Sequence, residues 1–142
     1  MTIARLIEGR DFAVISIDAA DSVRTALALL AGKRIGALPV LQHGKVAGVF
    51  SERDVIHQLQ EHGPAMLDKP VGEAMTAPAV SVDPQTDVMA ALALMTRRRI
   101  RHLPVLDGDA MVGFVSIGDL VKFRIDRIEA EAQAMRSYIQ MA

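Results

Sequence analysis

Slid along itself, the chain meets its own pattern at one constant separation. Asp18 falls on Asp83, Val23 on Val88, Ala26–Leu29 on Ala91–Leu94 and Ile35 on Ile100. The same separation places Leu38–Leu41 on Leu103–Leu106, Gly48 on Gly113, Ser51 on Ser116 and Asp54 on Asp119. An apolar-rich sequence matches itself by chance here and there, but not in an ungapped register that carries Pro, Gly, Ser and Asp along. The chain is an internal duplication, so both copies must fold as the same supersecondary unit. At 142 residues it is one module of two halves that share a core.

Each copy reads alike. Val14–Asp18 and Val80–Asp83 are short β-branched runs that end at an acid, which predicts a strand. Amphipathic helices follow, from Ser22 to about Gly32 and from Asp87 to about Arg98, with Val88, Leu92 and Met95 on one face. Ser22 and Asp87 are suitable N-caps. Then "ALPVLQHGKVAGVFS" and "HLPVLDGDAMVGFVS" each give two strands joined by turn residues, a hairpin. A second helix opens at Ser51 and at Ser116. The unit is β-α-β-β-α.

The expected organisation is a lead-in (1–12), a first repeat (13–60), a linker (61–77), a second repeat (78–122) and a C-terminal helical extension (123–142). The stretch between the copies holds Gly63, Pro64, Pro70 and Gly72, with Pro78 at its end, and predicts a single helical turn. One copy cannot bury both faces of a three-stranded sheet. The predicted fold is α/β (α+β), with the two copies packed sheet to sheet about a pseudo-twofold axis.

Composition removes several functions. A net charge of −1 argues against bulk electrostatic binding of nucleic acid, and no aromatics interleave the basic run Arg97–His102. The chain has no cysteine, which excludes disulfides, thiolate catalysis and Cys-based metal sites. His57 and His62 lack the i, i+4 spacing of a helical zinc pair, so no metal is expected. There is no nucleophile with a partnered base and no Walker-type glycine loop, so no enzyme activity is expected. Apolar runs fall far short of a bilayer span and no signal-peptide core precedes them, so the expected location is the cytoplasm, without membrane contact.

The paired segments "RIGALPVLQHGKVAGVFSERD" and "RIRHLPVLDGDAMVGFVSIGD" resemble a tandem pair of CBS domains, also called a Bateman module. The wording "MTRRRIRHLPV" with "VGFVSIGDLVK" is similar to small stand-alone bacterial CBS-pair proteins of the signalling type. The resemblance covers roughly Ala13 to Lys122. It implies a regulatory fold that binds AMP, ADP, ATP, NAD or S-adenosylmethionine between the sheets, with no obligatory cofactor. It also implies a homodimer and a protein partner that receives the signal. In the family the final aspartate takes the ribose hydroxyls, the serine lies near phosphate, and backbone at the first strand reads adenine.

Carried onto this chain, the resemblance implies two sites. The better one comprises Ser116, Ile117, Asp119, Arg101, His102, Pro104, Ala79 and Val80. The weaker comprises Ser51, Arg53, Asp54, Ala37, Pro39, Val14 and Ile15. The ranking rests on Gly36 and Ala37 standing where the second copy has Arg101 and His102. Each Ser-x-x-Asp is also a capping box, in which Ser Oγ accepts from the helix and the acid accepts from the Ser N–H. Arg97, Arg98 and Arg99 read equally as a solvated helix end, and Pro39 and Pro104 as strand-edge residues. A module with caps only, serving dimerisation without ligand, is the alternative.

From Leu120 onward, Val121, Ile125, Ile128, Ala132, Met135 and Ile139 recur at alternating steps of four and three, a heptad seam. A tail of about 30 Å exceeds what a small module needs for itself, and the seam predicts a contact in a homodimer.

Overall fold

The computed structural model describes residues 1–10 and 14–141. Its elements are helix α1 (Ile3–Glu8), strand β1 (Ile17–Asp18), helix α2 (Val23–Lys33), strands β2 (Ala37–Gln42) and β3 (Lys45–Ser51) and helix α3 (Glu52–His62). A 3-10 turn (Gly63–Asp68) and the short helix α4 (Val71–Ala74) lead to helix α5 (Val88–Arg98), strands β4 (His102–Asp107) and β5 (Ala110–Ser116), and helix α6 (Ile117–Met141).

The local signals act as expected. Ser22 Oγ accepts the Thr25 N–H at 3.1 Å and an Asp87 carboxylate oxygen accepts the Met89 N–H at 3.0 Å, which caps α2 and α5. Both helices stop at an arginine in the left-handed region, Arg34 (φ 54°) and Arg99 (φ 56°), and the chain turns back into a hairpin. In the first hairpin His43 and Gly44 both take positive φ, as a two-residue type I′ turn requires.

The first sheet has the order β1-β2-β3, with β1 parallel to β2 and β2 antiparallel to β3. The second has β4 and β5 only. The strands expected at Val14–Asp18 and Val80–Asp83 are therefore much shorter, reduced to Ile17–Asp18 and to one parallel bridge between Val82 and Val105. Their C-terminal ends are set by the acids: Asp18 accepts from the Ala20 N–H at 2.9 Å and Asp83 from the Gln85 N–H at 2.8 Å, each turning the chain away from its sheet.

Each half has its own buried cluster, one around Val23, Leu38, Val40 and Phe50, the other around Val88, Leu103, Val105 and Val115. The halves meet where β3 packs on β5, sheet against sheet. The segment expected as a linker supplies Met66, Val71 and Ala74 to the first cluster. The segment expected as a lead-in supplies Ile3 and Leu6 to the second.

These two additions correspond bond for bond. The Val71 N–H donates to Asp21 O and the Gly72 N–H to Ala19 O, while the Val23 N–H donates to Lys69 O. In the other half the Ile3 N–H donates to Thr86 O, the Ala4 N–H to Pro84 O, and the Val88 N–H to Met1 O. The α1 and α4 segments are thus one element related by the pseudo-twofold, and α1 completes the repeat at the far end of the chain. This approach explains Gly48 and Gly113. A Cβ on Gly48 would stand 2.5 Å from Thr76 O, and one on Gly113 would stand 3.1 Å from Ile7 Cγ2.

Helix α6 runs 25 residues, about 37 Å at 1.5 Å per residue. Only its first turns touch the module, through buried Leu120 and half-buried Phe123. No described helix is long and apolar enough to cross a membrane.

Candidate functional site

Both Ser-x-x-Asp pairs form complete caps. The Ser51 N–H donates to Asp54 Oδ2 at 2.8 Å and Ser51 Oγ accepts the Asp54 N–H at 3.4 Å. The Ser116 N–H donates to Asp119 Oδ2 at 2.8 Å and Ser116 Oγ accepts the Asp119 N–H at 3.1 Å. In each carboxylate the cap engages Oδ2 and leaves Oδ1 to other partners.

What meets Oδ1 differs between the halves. Thr76 Oγ1 donates to Asp54 Oδ1 at 2.8 Å. The Arg10 guanidinium lies 2.9 Å from Asp119 Oδ1. Thr76 precedes the first strand of the second repeat and Arg10 precedes that of the first, so each capped helix faces the entry segment of the other repeat. Neither residue was singled out in the sequence. The signal that could have found them is position: each lies just ahead of a first-strand run.

This crossing builds a cleft of about 660 Å³ over the start of α3. Ser51, Glu52, Arg53 and Asp54 form one wall, Thr76, Pro78, Ala79 and Val80 a second, and Arg98 to His102 a third. Residues assigned to separate sites by repeat are thereby interleaved. Ala79, Val80, Arg101 and His102, expected beside Asp119, line the cleft of Asp54.

The remaining candidates lie elsewhere. Ala37 and Pro39 in β2 and Pro104 in β4 are buried, paired with Ser51, Val49 and Phe114. Ile117 opens α6, where its N–H donates to Arg101 O at 2.8 Å. Val14 and Ile15 are half-buried, and Ile15 packs on the first core.

The electrostatics favour an anion. Four arginines (Arg53, Arg98, Arg99, Arg101) face two carboxylates, Glu52 and Asp54. Arg53 Nη1 also donates to Arg99 O at 2.9 Å, tying the N-terminal turn of α3 to the C-terminal end of α5 across the two halves. The N-terminal end of α3 adds a partial positive charge, although the Glu52 N–H donates to Gly36 O and the Asp54 N–H to Ser51 Oγ. A volume in the hundreds of Å³ suits a small organic ligand.

His102 sits where the two halves meet. Its ring stacks on Phe114, with centroids 5.6 Å apart, and a Cβ on Gly36 would come within 3.4 Å of it. The glycine opposite therefore makes room for the imidazole, which gives the Gly36/Arg101 asymmetry a packing cause. Burial lowers the His102 pKa; Asp119 and Glu52 work against that and Arg101 adds to it. For Asp119, burial pushes the carboxyl up. Hydrogen bonds from the Ser116 N–H and hydroxyl, with the nearby Arg10 charge and its hydrogen bond, outweigh burial and hold it below the usual range.

The family model for the CBS domain matches this chain twice, at residues 10–61 and 71–126. The chain belongs to the CBS-domain family. A mitochondrial CBS domain-containing protein of Arabidopsis thaliana, CBSX3, is 36% identical over 125 residues, covering 84% of this chain and 61% of that protein. This chain thus spans less than two thirds of that relative. A solved CBS-domain structure from Burkholderia ambifaria MC40-6 superposes with a TM-score of 0.81 at 38% identity, covering 89% of this chain and 95% of the other. The structure of CBSX2 in complex with AMP superposes with a TM-score of 0.69 at 28% identity, covering 80% of this chain and 88% of that one. In this CBS pair, α1 lies ahead of both matched copies yet packs into the second.

Proposed function

We propose that this CBS pair is a cytoplasmic regulatory module, not a catalyst, that binds an adenosine-containing nucleotide in the Asp54 cleft. The observation that carries this reading is the composition of that one cleft: a carboxylate oxygen that the cap does not use, a helix N-terminus and four arginines around a volume of about 660 Å³. Asp54 accepts the two vicinal ribose hydroxyls once Thr76 gives way. The start of α3, with Arg98 and Arg101, receives phosphate. Backbone at Ala79 and Val80 reads the base. The AMP complex of CBSX2 makes AMP the first compound to test, ahead of ADP, ATP, NAD and S-adenosylmethionine.

Asp119 is the poorer site in this reading, because a ligand there must displace the Arg10 charge. That order reverses the one expected from the sequence. Bound nucleotide crosses from α3 to the second repeat and so favours one relative placement of the halves. Its leverage equals its differential affinity for the two placements. An unidentified protein partner reads the outcome.

A second reading, a ligand-free dimerisation module, is favoured by one observation: both Ser-x-x-Asp pairs are satisfied as caps without ligand. Thermal unfolding with each compound separates the two. A ligand at about 100 times its dissociation constant adds about 2.7 kcal/mol of stability. The sensor reading expects a raised midpoint that Asp54→Asn abolishes and Asp119→Asn leaves in place. If no adenosine compound raises the wild-type midpoint, the dimerisation reading stands.

A further inference from the structure

The fold grips His102 by the faces of its ring and leaves the ring nitrogens unused. Phe114 stacks on the imidazole with centroids 5.6 Å apart. A Cβ on Gly36 would stand 3.4 Å from its Cε1, 3.6 Å from its Nε2 and 4.0 Å from Glu52 Cδ, so the ring lies near the first residue of α3. Among the described residues no group hydrogen-bonds either ring nitrogen, and neither nitrogen is sealed from solvent. The same ring lines the Asp54 cleft.

The groups that face this imidazole come from three elements and its own strand entry. Glu52 on α3 and Asp119 on α6 favour the protonated ring, Arg101 beside it opposes that, and β5 presents the uncharged Phe114 and Ser116. Arg10 already lies 2.9 Å from Asp119 Oδ1, and Arg53, Arg98 and Arg99 add positive charge around the cleft. Burial outweighs the two acids and keeps the ring neutral at neutral pH. A phosphate at the start of α3 changes that balance. It brings a charge of about −1.5 to −2 and strong acceptor oxygens into a half-buried place, and both favour imidazolium.

We infer that a nucleotide phosphate entering the Asp54 cleft draws a proton from solvent onto His102, so that nucleotide occupancy responds to pH. This proton linkage rests on the nucleotide reading of the cleft proposed above. One proton moves from water to a ring nitrogen as ligand binds and returns as it leaves. The ligated ring keeps its proton to a higher pH than the free ring does. Between those two values affinity falls as pH rises, by at most about tenfold per pH unit for one linked proton. Above both, the arginines act alone and the dependence ends. Ala37 holds the matching place in the first repeat, so the pseudo-twofold supplies one such group, not two.

The test is calorimetric titration of AMP into the full chain from about pH 5 to about pH 8, with imidazole shifts followed by NMR. His43, His57 and His62 are exposed and line no part of the cleft, so they report the background. The His102 titration moves to higher pH with saturating AMP and stays in place with adenosine, which has no phosphate. Across the range, the wild-type Kd for AMP rises severalfold more than that of His102→Gln, whose profile carries AMP's own phosphate titration. Should that variant fold poorly, the wild-type NMR titration decides. AMP that binds without moving His102, or that gives both proteins one pH profile, overturns the proton linkage and leaves the nucleotide reading standing. An equal shift with adenosine overturns it as well. If neither AMP, ADP nor ATP binds at any pH, the nucleotide reading fails and the linkage falls with it.

Discussion

Arg10 reaches Asp119 at 2.9 Å, joining the entry of the first repeat to the capped helix of the last. The same carboxylate accepts the Ser116 N–H at 2.8 Å, so a single side chain ends a sheet, starts a helix and anchors the opposite end of the chain. Its pKa lies below the usual carboxylate range. The folded state therefore gains stability from the ionised carboxyl at neutral pH, and loses it as pH falls through the lowered folded value. Asp119→Asn should cost about 1 kcal/mol at pH 7. Urea unfolding should show that gap closing as the wild type is acidified below about pH 4.

His102 behaves with the opposite charge and the same slope. Its pKa is lowered, so the unfolded chain takes up its proton first as pH falls. Stability should decline from about pH 6.5 downward until the lowered folded value is reached. His102→Gln should remove that part of the decline. Imidazole proton shifts followed by NMR give the folded value directly, and one at or above 6.5 would contradict the burial argument.

Gly48 and Gly113 hold matching places but differ in what surrounds them. A methyl on Gly48 meets backbone, Thr76 O at 2.5 Å, whereas one on Gly113 meets a side-chain methyl, Ile7 Cγ2, at 3.1 Å. Gly48→Ala should therefore destabilise by about 3 kcal/mol and Gly113→Ala by about 1 kcal/mol, at the two ends of the range for overpacking. Equal losses in chemical denaturation would show that both neighbours yield alike.

Ile3 is fully buried in the cluster of the second repeat. Ile3→Ala should cost about 2–5 kcal/mol, as for other large-to-small changes in a core. Hydrogen exchange should place the loss in α5, β4 and β5 rather than in α2 or β2. Loss of protection in the first repeat instead would show that the two cores unfold as one.

The duplication, both caps, both hairpins and the heptad seam were legible because each depends on neighbours in sequence or on one constant separation. The candidate cleft was half legible. Ser51, Asp54, Ala79, Val80, Arg101 and His102 were named, but were sorted by repeat, whereas the fold crosses the entry segment of one repeat onto the helix of the other. That crossing leaves no repeat signal. Ile3 matches Val71 in its hydrogen bonds, yet their separation is not the one relating Asp18 to Asp83, and the matched pieces are a few residues long. Arg10 and Thr76 went unnoticed for the same reason: they are partners through tertiary placement, and differ in chemistry.

Because α1 completes the second repeat, the two halves are alike in space but not in time. During translation the first repeat receives α4 soon after its own strands have left the ribosome. Ile3 and Leu6 must wait, uncovered, until Val115 and Leu120 have been made. A chaperone or a non-native apolar contact has that whole interval in which to engage them. Nascent-chain truncations should thus find the first repeat protease-resistant well before the second.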